Sequence, residues 1–368
     1  MDDAAGAGGA PPDPGSGAGA PDNAAGQTAT ATGGVSTGTG GATTASGGVN
    51  AAGKAGGGAV GTAGIAGQAV GGTSTGGAGP VLPTPTQVAA AAQTPSSLTI
   101  VGANLYFSDA AGRIRRAPLA GGAITEISPV AAQPGGSPPL VANATDIFWA
   151  NSATASLGIM QVALDGGASA LIAPAAAAPR SLVIDATNIY FTQAAAIMKV
   201  ALAGGNATPF VSQQTGPTSL AIDATNLYWT TAAQILIAPL ATGVATPLAN
   251  AQVQPRALVV DSTNVYWLNG PPQAGRTVMM VPIAGGTPTS LTSDMINATA
   301  LAIDATYAYW TNRGATPAAG SVMRAPLTGG NAETLAVAQA SPGSIAVDAN
   351  KVYWANQTSG ELLSVPIK

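Results

Sequence analysis

A pair of adjacent aromatic residues returns seven times along this chain, and almost nothing else in it is aromatic. The pairs are Tyr106-Phe107, Phe148-Trp149, Tyr190-Phe191, Tyr228-Trp229, Tyr266-Trp267, Tyr309-Trp310 and Tyr353-Trp354. They hold 14 of the 16 aromatic residues; only Phe210 and Tyr307 lie outside them. Successive pairs are 42, 42, 38, 38, 43 and 44 residues apart. A period in that range is the mark of a repeat architecture, a toroid or a solenoid, in which each unit is one supersecondary element.

One unit shows what kind. "SLAID" (219–223) is a short apolar run, "ATN" turns the chain, and "LYWTT" (227–231) is a second run. "QILIAPL" (234–240) is a third, and "VATPLAN" (244–250) a weaker fourth. Apolar runs this short, rich in β-branched and aromatic residues, read as strands and lack the i, i+3, i+4 pattern of helical repeats. Four short antiparallel strands per unit make the blade of a β-propeller. The fold class expected is therefore all-β, a seven-bladed propeller. Gly-Gly recurs between third and fourth strands, at Gly121-Gly122, Gly166-Gly167, Gly204-Gly205, Gly285-Gly286 and Gly329-Gly330, where tight hairpins need positive φ.

The architecture explains the pairs. Adjacent strand residues point to opposite faces, and a blade is covered on both faces by its neighbours. Both residues can then be large and apolar, and the pairs are read as cement between blades. Asp185, Asp223, Asp261, Asp304 and Asp348 end the first strand of their repeats, where a carboxylate can accept backbone N–H bonds in an Asx turn. Asn143 can do the same in the second repeat; Val101 in the first cannot. Asn104, Asn188, Asn226 and Asn264 close these turns and are expected in the left-handed region that asparagine tolerates. Tyr307 and Lys351 replace asparagine in the last two repeats, whose turns are expected to be less regular.

The last repeat stops after three strands. An open ring would expose a sheet edge. "TPTQVAAAAQTPSSL" (84–98) resembles "TPLANAQVQPRAL" (246–258), a fourth strand entering the next blade. Residues around 84–91 are therefore expected to complete the last blade.

Ahead of the repeats the physics differs. Residues 1–80 hold 26 of the 49 glycines and no aromatic residue. Such a segment cannot bury enough apolar area to offset its ordering entropy. It is read as a disordered Gly/Ala/Thr-rich tether over 1–82, with the propeller over 83–368. The first 80 residues carry four aspartates and Lys54, leaving 12 acidic and 11 basic residues in the body. No basic stripe is present, which argues against nucleic acid. The densest basic cluster, Arg113, Arg115 and Arg116, is read as a solvated strand edge. There is no cysteine and no histidine, which removes thiolate and imidazole metal sites and histidine-based triads. No run approaches the ~18 apolar residues of a membrane span. The start, "MDDAAGAGGAPPDPG", shows no signal peptide.

The repeats resemble the YWTD repeats of low-density-lipoprotein-receptor propellers, within the wider group of NHL-, TolB- and streptogramin-lyase-like propellers. "LYFSDAAGRIRRAPLAGG" (105–122) is the closest copy, followed by "IFWAN", "IYFTQ", "LYWTT", "VYWLN", "AYWTN" and "VYWAN". The resemblance spans about 95–368. It implies a propeller that binds a protein or a small molecule. This chain departs from it in having seven units where YWTD propellers have six, and aspartate at the fourth motif position only at Asp109. Streptogramin-lyase-like propellers use a histidine base, which is absent, and lactonase-type propellers hold a metal with Glu, Asp and Asn.

Propeller ligands sit at the channel mouth, on the face that carries the loops between second and third strands and between blades. Those second-to-third loops are long in repeats two, five and six and contain Asn151, Asn269, Arg276, Asn312 and Arg313. Arg180 and Arg256, each after a proline and before a first strand, break the repeat pattern and suit an anionic ligand. These seven residues are the expected ligand contacts; no catalytic residue, metal ligand or cofactor is expected. The reading is a monomeric, non-catalytic binding propeller for a protein or small ligand. It is expected to be displayed outside the cytoplasm of a bacterium, at the cell surface or in the periplasm, on its tether, with lipid anchoring through a signal outside this chain as one form of that display. The alternative is a metal-dependent hydrolase or lyase working in the central channel.

Overall fold

The computed structural model describes residues 82–90, 93–128, 139–153, 156–271, 276–295 and 297–367. The tether expected over 1–82 lies outside them but for Leu82. Among the described residues the chain forms strands alone, from β1 (Thr86–Ala90) to β28 (Glu361–Pro366), in seven four-stranded antiparallel sheets. The molecule is a seven-bladed β-propeller. The first strands of the blades are β2 (Pro95–Val101), β6 (Leu140–Ala142), β10 (Leu182–Ile184), β14 (Leu220–Ile222), β18 (Arg256–Val260), β22 (Ala298–Ile303) and β26 (Pro342–Val347). Each touches the first strand of the next blade, and β26 touches β2, so these strands ring the central channel.

Closure follows the sequence expectation. The last sheet has the order β1-β28-β27-β26, with β27 spanning Lys351–Asn356. β1 pairs Thr86 with Ser364 and Ala90 with Glu361, and its Val88 and Ala89 are buried. The edge that β28 would otherwise expose is thus paired from the other end of the fold.

The aromatic pairs are divided between interfaces in one sense all round the ring. The first member faces the following blade and the second faces the preceding one. Tyr106 and Trp149 share one buried cluster, Phe148 and Phe191 the next, then Tyr190 with Trp229, Tyr228 with Trp267, Tyr266 with Trp310, and Tyr309 with Trp354. Tyr353 of the last blade and Phe107 of the first complete the circle in the cluster that also holds Val88 and Ala89. Every member of the pairs is at most 2% exposed. At roughly 1.5–3 kcal/mol for burying one large apolar side chain, these interfaces dominate the cohesion of blades that share no sheet hydrogen bonds.

The turns correct two expectations. Asp185, Asp223, Asp261, Asp304 and Asp348 each accept two backbone N–H bonds through Oδ1, at 2.6–2.8 Å. Tyr307 and Lys351 donate as asparagine does, so the last two turns are as regular as the others. What the turn uses there is the residue's backbone N–H, which every residue but proline supplies. Nor do Asn104, Asn188, Asn226 and Asn264 take positive φ; each begins a strand, and where Thr187, Thr225 or Thr263 precedes, the asparagine amide donates to its hydroxyl. In the first blade, where Val101 cannot cap, Gly102 turns the chain at φ 56°. The Gly-Gly hairpins do take positive φ throughout, 83–91° and then 125–144°.

Candidate functional site

Strand order fixes two unlike ends of the ring. At one, the turn face, lie the Asp turns and the Gly-Gly hairpins. At the other, the loop face, lie the connections from second to third strands and from each fourth strand to the next blade.

The turn face is a closed structural network. Tyr190, Tyr228, Tyr266, Tyr309 and Tyr353 donate their hydroxyls to Oδ2 of the aspartate five residues earlier, at 2.5–3.0 Å. Both carboxylate oxygens are therefore engaged. Burial works to raise the carboxyl pKa of Asp185, Asp223 and Asp261, but the converging donors outweigh it and hold all three below the usual value. The five tyrosines are pushed well above their ordinary value, first by burial and then by the carboxylate beside each. Blade 2 has neither partner: Asn143 caps the turn and Phe148 replaces tyrosine. The sequence reading missed these pairs, although the spacing of five and the joint change in blade 2 signal them.

The loop face holds the residues singled out in sequence, and it treats them differently. Arg180 is exposed, its side chain makes no hydrogen bond or ion pair with the described residues, and its backbone N–H donates to Thr192 Oγ1 at 3.1 Å. Arg256 is half-buried at the first position of β18. Arg313 is half-buried and donates to Gln357 Oε1 on the next blade. Arg276 is only 1% exposed and donates to the backbone carbonyl of Ala298 in the next blade. Asn151 is fully buried, accepting from the Ala153 N–H and donating to Ser156 Oγ at 2.6 Å. Asn269 accepts from the Val253 N–H at 2.9 Å, and Asn312 donates to Ser321 Oγ at 3.2 Å. The asparagines thus set loop conformation. Arg180 and Arg256 stand two blades apart, and no contact joins them. Parts of the loops in blades 2 and 5, residues 154–155 and 272–275, lie outside the described residues.

Arg276 belongs to a seam around the channel. Serine at the third residue of the Pro-x-Ser motif accepts a backbone N–H from the next blade: Ser97 from Leu140, Ser181 from Leu220, Ser219 from Ala257, at 3.1–3.2 Å. Blade 5 has Ala257 at that position, and there Arg276 reaches across instead. Between blades 6 and 7, Thr299 and Thr311 donate to the carbonyls of Pro342 and Gly343. Three indole N–H groups add to the same stitching, bonding Gln214, Gln252 and Gln339 fifteen residues back on the preceding blade.

The basic triplet is not a solvated edge. Asp109 is fully buried and forms ion pairs with Arg113 at 2.9 Å and Arg115 at 3.0 Å. Its Oδ1 also accepts the N–H groups of Ala111 and Arg113. A buried carboxylate needs such compensation, and the one repeat that keeps aspartate at the fourth motif position supplies it. Arg116 reaches Asp165 at 3.5 Å.

Charge is sorted between the two faces. Arg113, Arg115, Arg180, Arg256, Arg276 and Arg313 all stand at the loop-face ends of their strands or in its loops. The five turn aspartates, with Asp146, Asp165, Glu126 and Glu333, stand at the other end; the loop face has Asp109, Asp294 and Glu361. Backbone strain is sorted too. Gln213, Ala251, Gln254, Ala257, Asn297, Ala338 and Ser341 hold φ between 45° and 58°, all at or near the connections into the next blade. Side chains with a Cβ disfavour that region, and such outliers gather where a surface is shaped for contact. Among the described residues no group of three acidic side chains is placed to hold a metal ion.

No family model matches the chain, and no curated protein does. Solved structures do. Virginiamycin B lyase from Staphylococcus aureus superposes with a TM-score of 0.63 at 14% identity, over 77% of this chain and 99% of that one. YCF48 bound to D1 peptide gives 0.58 at 9% identity, over 78% and 100%. The computationally designed Ika8 protein gives 0.54 at 11%, over 76% and 99%. At these identities the likeness is one of fold.

Proposed function

We propose that this protein is a binding propeller whose loop face receives an anionic partner, a protein segment bearing carboxylates. The observation that carries the reading is the sorting of charge: a body with almost balanced charges has six of its eight arginines at one end of the ring and most of its carboxylates at the other, where Arg116 and Arg324 pair with Asp165 and Glu333. The turn-face carboxylates have a structural task. Arg180 has none among the described residues, and a guanidinium is suited to bidentate recognition of a carboxylate. A field of this polarity steers an acidic partner toward the loop face and away from the opposite one. YCF48, which shares this fold, is bound to a D1 peptide, and we take a peptide as the partner class.

The display expected from sequence fits this orientation. β1 runs from the turn-face side toward the loop face, since Ala90 pairs with Glu361 at the loop-face end of β28. A tether displaying the propeller outside a bacterial cell would enter it at the turn-face end of β1, the end away from Arg180 and Arg256.

The test is fluorescence anisotropy with a labelled octaglutamate peptide, beside octalysine and a neutral Gly-Ser octamer, at low and physiological salt. Octaglutamate alone should bind, more weakly as salt rises. The variant Arg180→Ser should weaken that binding with an unchanged melting temperature, and the double variant Arg180→Ser/Arg256→Ser should lose most of it while still folding. Equal binding of octalysine, or full binding by the folded double variant, would overturn the reading.

A further inference from the structure

A second place on the loop face has the opposite chemistry. A cleft of about 500 Å³ lies where the ring closes, lined by Gln93, Thr94, Ala110, Ala111 and the Gln357–Gly360 turn. Its size is in the range of small-ligand sites. Three stretches meet in it only because β1 has joined blade 7: the segment after β1, the second-to-third connection of blade 1, and that of blade 7.

The charged groups nearest this cleft stand outside its lining and bond to one another or to neutral neighbours. Asp109 is neutralised by Arg113 and Arg115, Glu361 accepts from Ser359 Oγ at 2.8 Å, and Arg313 is bonded to Gln357 Oε1. That last bond fixes the Gln357 amide oxygen toward Arg313. Gln93, Thr94 and Thr358 are exposed, and their side chains bond to none of the described residues. The lining itself therefore offers neutral amide and hydroxyl groups, donors and acceptors in mixture, and no charged side chain. A peptide main chain presents the matching set, one donor and one acceptor per residue. A sugar ring would also offer hydroxyls, but its apolar face needs an exposed aromatic plate. The nearest rings, Tyr106, Phe107, Tyr353 and Trp354, are at most 2% exposed.

We infer that the closure cleft is a binding site for an uncharged peptide segment, separate on the loop face from Arg180 and Arg256. Its walls come from both ends of the chain's folded part, so an occupant joins the first blade to the last and stabilises the closed ring by mass action.

The experiment is saturation-transfer NMR on the full chain with the blocked hexapeptide acetyl-Gly-Thr-Ala-Gly-Ser-Thr-amide, beside maltohexaose and blocked hexaglutamate, with melting temperatures measured in parallel. Transfer to the neutral peptide is expected, with a rise in melting temperature as peptide is added. Ala110→Trp, which fills the cleft from an exposed position, should abolish both. Gln93→Ala/Thr358→Ala, two exposed truncations, should weaken binding about tenfold, as the loss of two neutral hydrogen bonds implies. Arg180→Ser/Arg256→Ser should leave it unchanged, which separates this site from the arginine face. No transfer to the peptide, transfer indifferent to both cleft variants, or transfer to maltohexaose in its place would overturn the inference. Should Ala110→Trp fail to fold, the Gln93/Thr358 pair decides.

Discussion

Removing one hydroxyl tests whether the Asp–Tyr pairs hold the turn face together. In blade 4, Asp223 Oδ1 accepts the N–H groups of Thr225 and Asn226 at 2.7 Å, and Oδ2 accepts the Tyr228 hydroxyl at 2.5 Å. Tyr228→Phe keeps the ring, which is fully buried between blades 4 and 5, and deletes only that donor. A hydrogen bond to a charged group contributes about 1.5–3 kcal/mol. Asp223 is half-buried, so water replaces part of what is lost, and about 1–2 kcal/mol is expected. For a domain of this size that is about 2–4 °C in melting temperature. Asp223→Asn should cost a similar amount, because an amide oxygen still caps the turn as Asn143 does in blade 2. The double variant then reproduces the Asn/Phe combination that blade 2 already carries. It should be scarcely less stable than either single variant, a coupling of about 1 kcal/mol in a double-mutant cycle. Urea unfolding followed by tryptophan fluorescence gives the three differences. A Tyr228→Phe effect below about 0.3 kcal/mol, or strict additivity in the double variant, would refute the pairing as a source of stability.

The same pairs set a pH dependence. The raised pKa of Tyr190, Tyr228, Tyr266, Tyr309 and Tyr353 means that above about pH 10, where free tyrosine ionises, the unfolded chain releases protons that the folded chain retains. Stability should fall with rising pH from there, and thermal melts at pH 9, 10 and 11 check it. Asp185, Asp223 and Asp261 act in the opposite sense: their lowered values add stability above about pH 4 that disappears as the pH falls further. A chain beginning at Leu82 should melt as the full chain does, whereas one beginning at Gln93 leaves the outer edge of β28 unpaired and uncovers Leu362 of the closing cluster. The shorter chain should melt lower and elute as aggregates in size-exclusion chromatography; equal melting temperatures would refute closure by β1.

The architecture was readable because it rests on composition at fixed phase. An aromatic pair on a strand covered on both faces needs no knowledge of the partner residue; it needs only a neighbour on each side, and the period supplies one. Closure was readable for the same reason, since a repeat with three strands demands a fourth. The turns were half readable. Aspartate as a cap follows from its chemistry, but the role given to asparagine confused a residue that tolerates positive φ with one that requires it. The backbone of Asn188, Asn226 and Asn264 is extended, and their amides serve the threonines beside them. The charge sorting was legible in principle and missed. Summed over the body, acidic and basic residues nearly cancel; sorted by phase within the repeat, six of eight arginines fall around the starts of first and third strands or after second ones, and five aspartates fall after first strands.

The site residues show what phase cannot supply, which is direction. A residue that breaks a repeat either answers a ligand or repairs a neighbour that also broke it, and the two look alike in sequence. Arg276 is a repair. Ala257 lacks the hydroxyl with which Ser97, Ser181 and Ser219 tie adjacent blades, and Arg276 turns inward to the Ala298 carbonyl across the same gap. Asn151 and Asn269 are spent on loop backbone. Arg180 stands beside an intact seam, where Ser181 already receives Leu220, and its side chain is exposed. Its side chain bonds to none of the described residues, and it stands at the end of the ring where six of the eight arginines lie, so the proposed recognition would use it first. That distinction makes Arg180, rather than the more deeply placed Arg276, the residue on which recognition at the loop face should be tested.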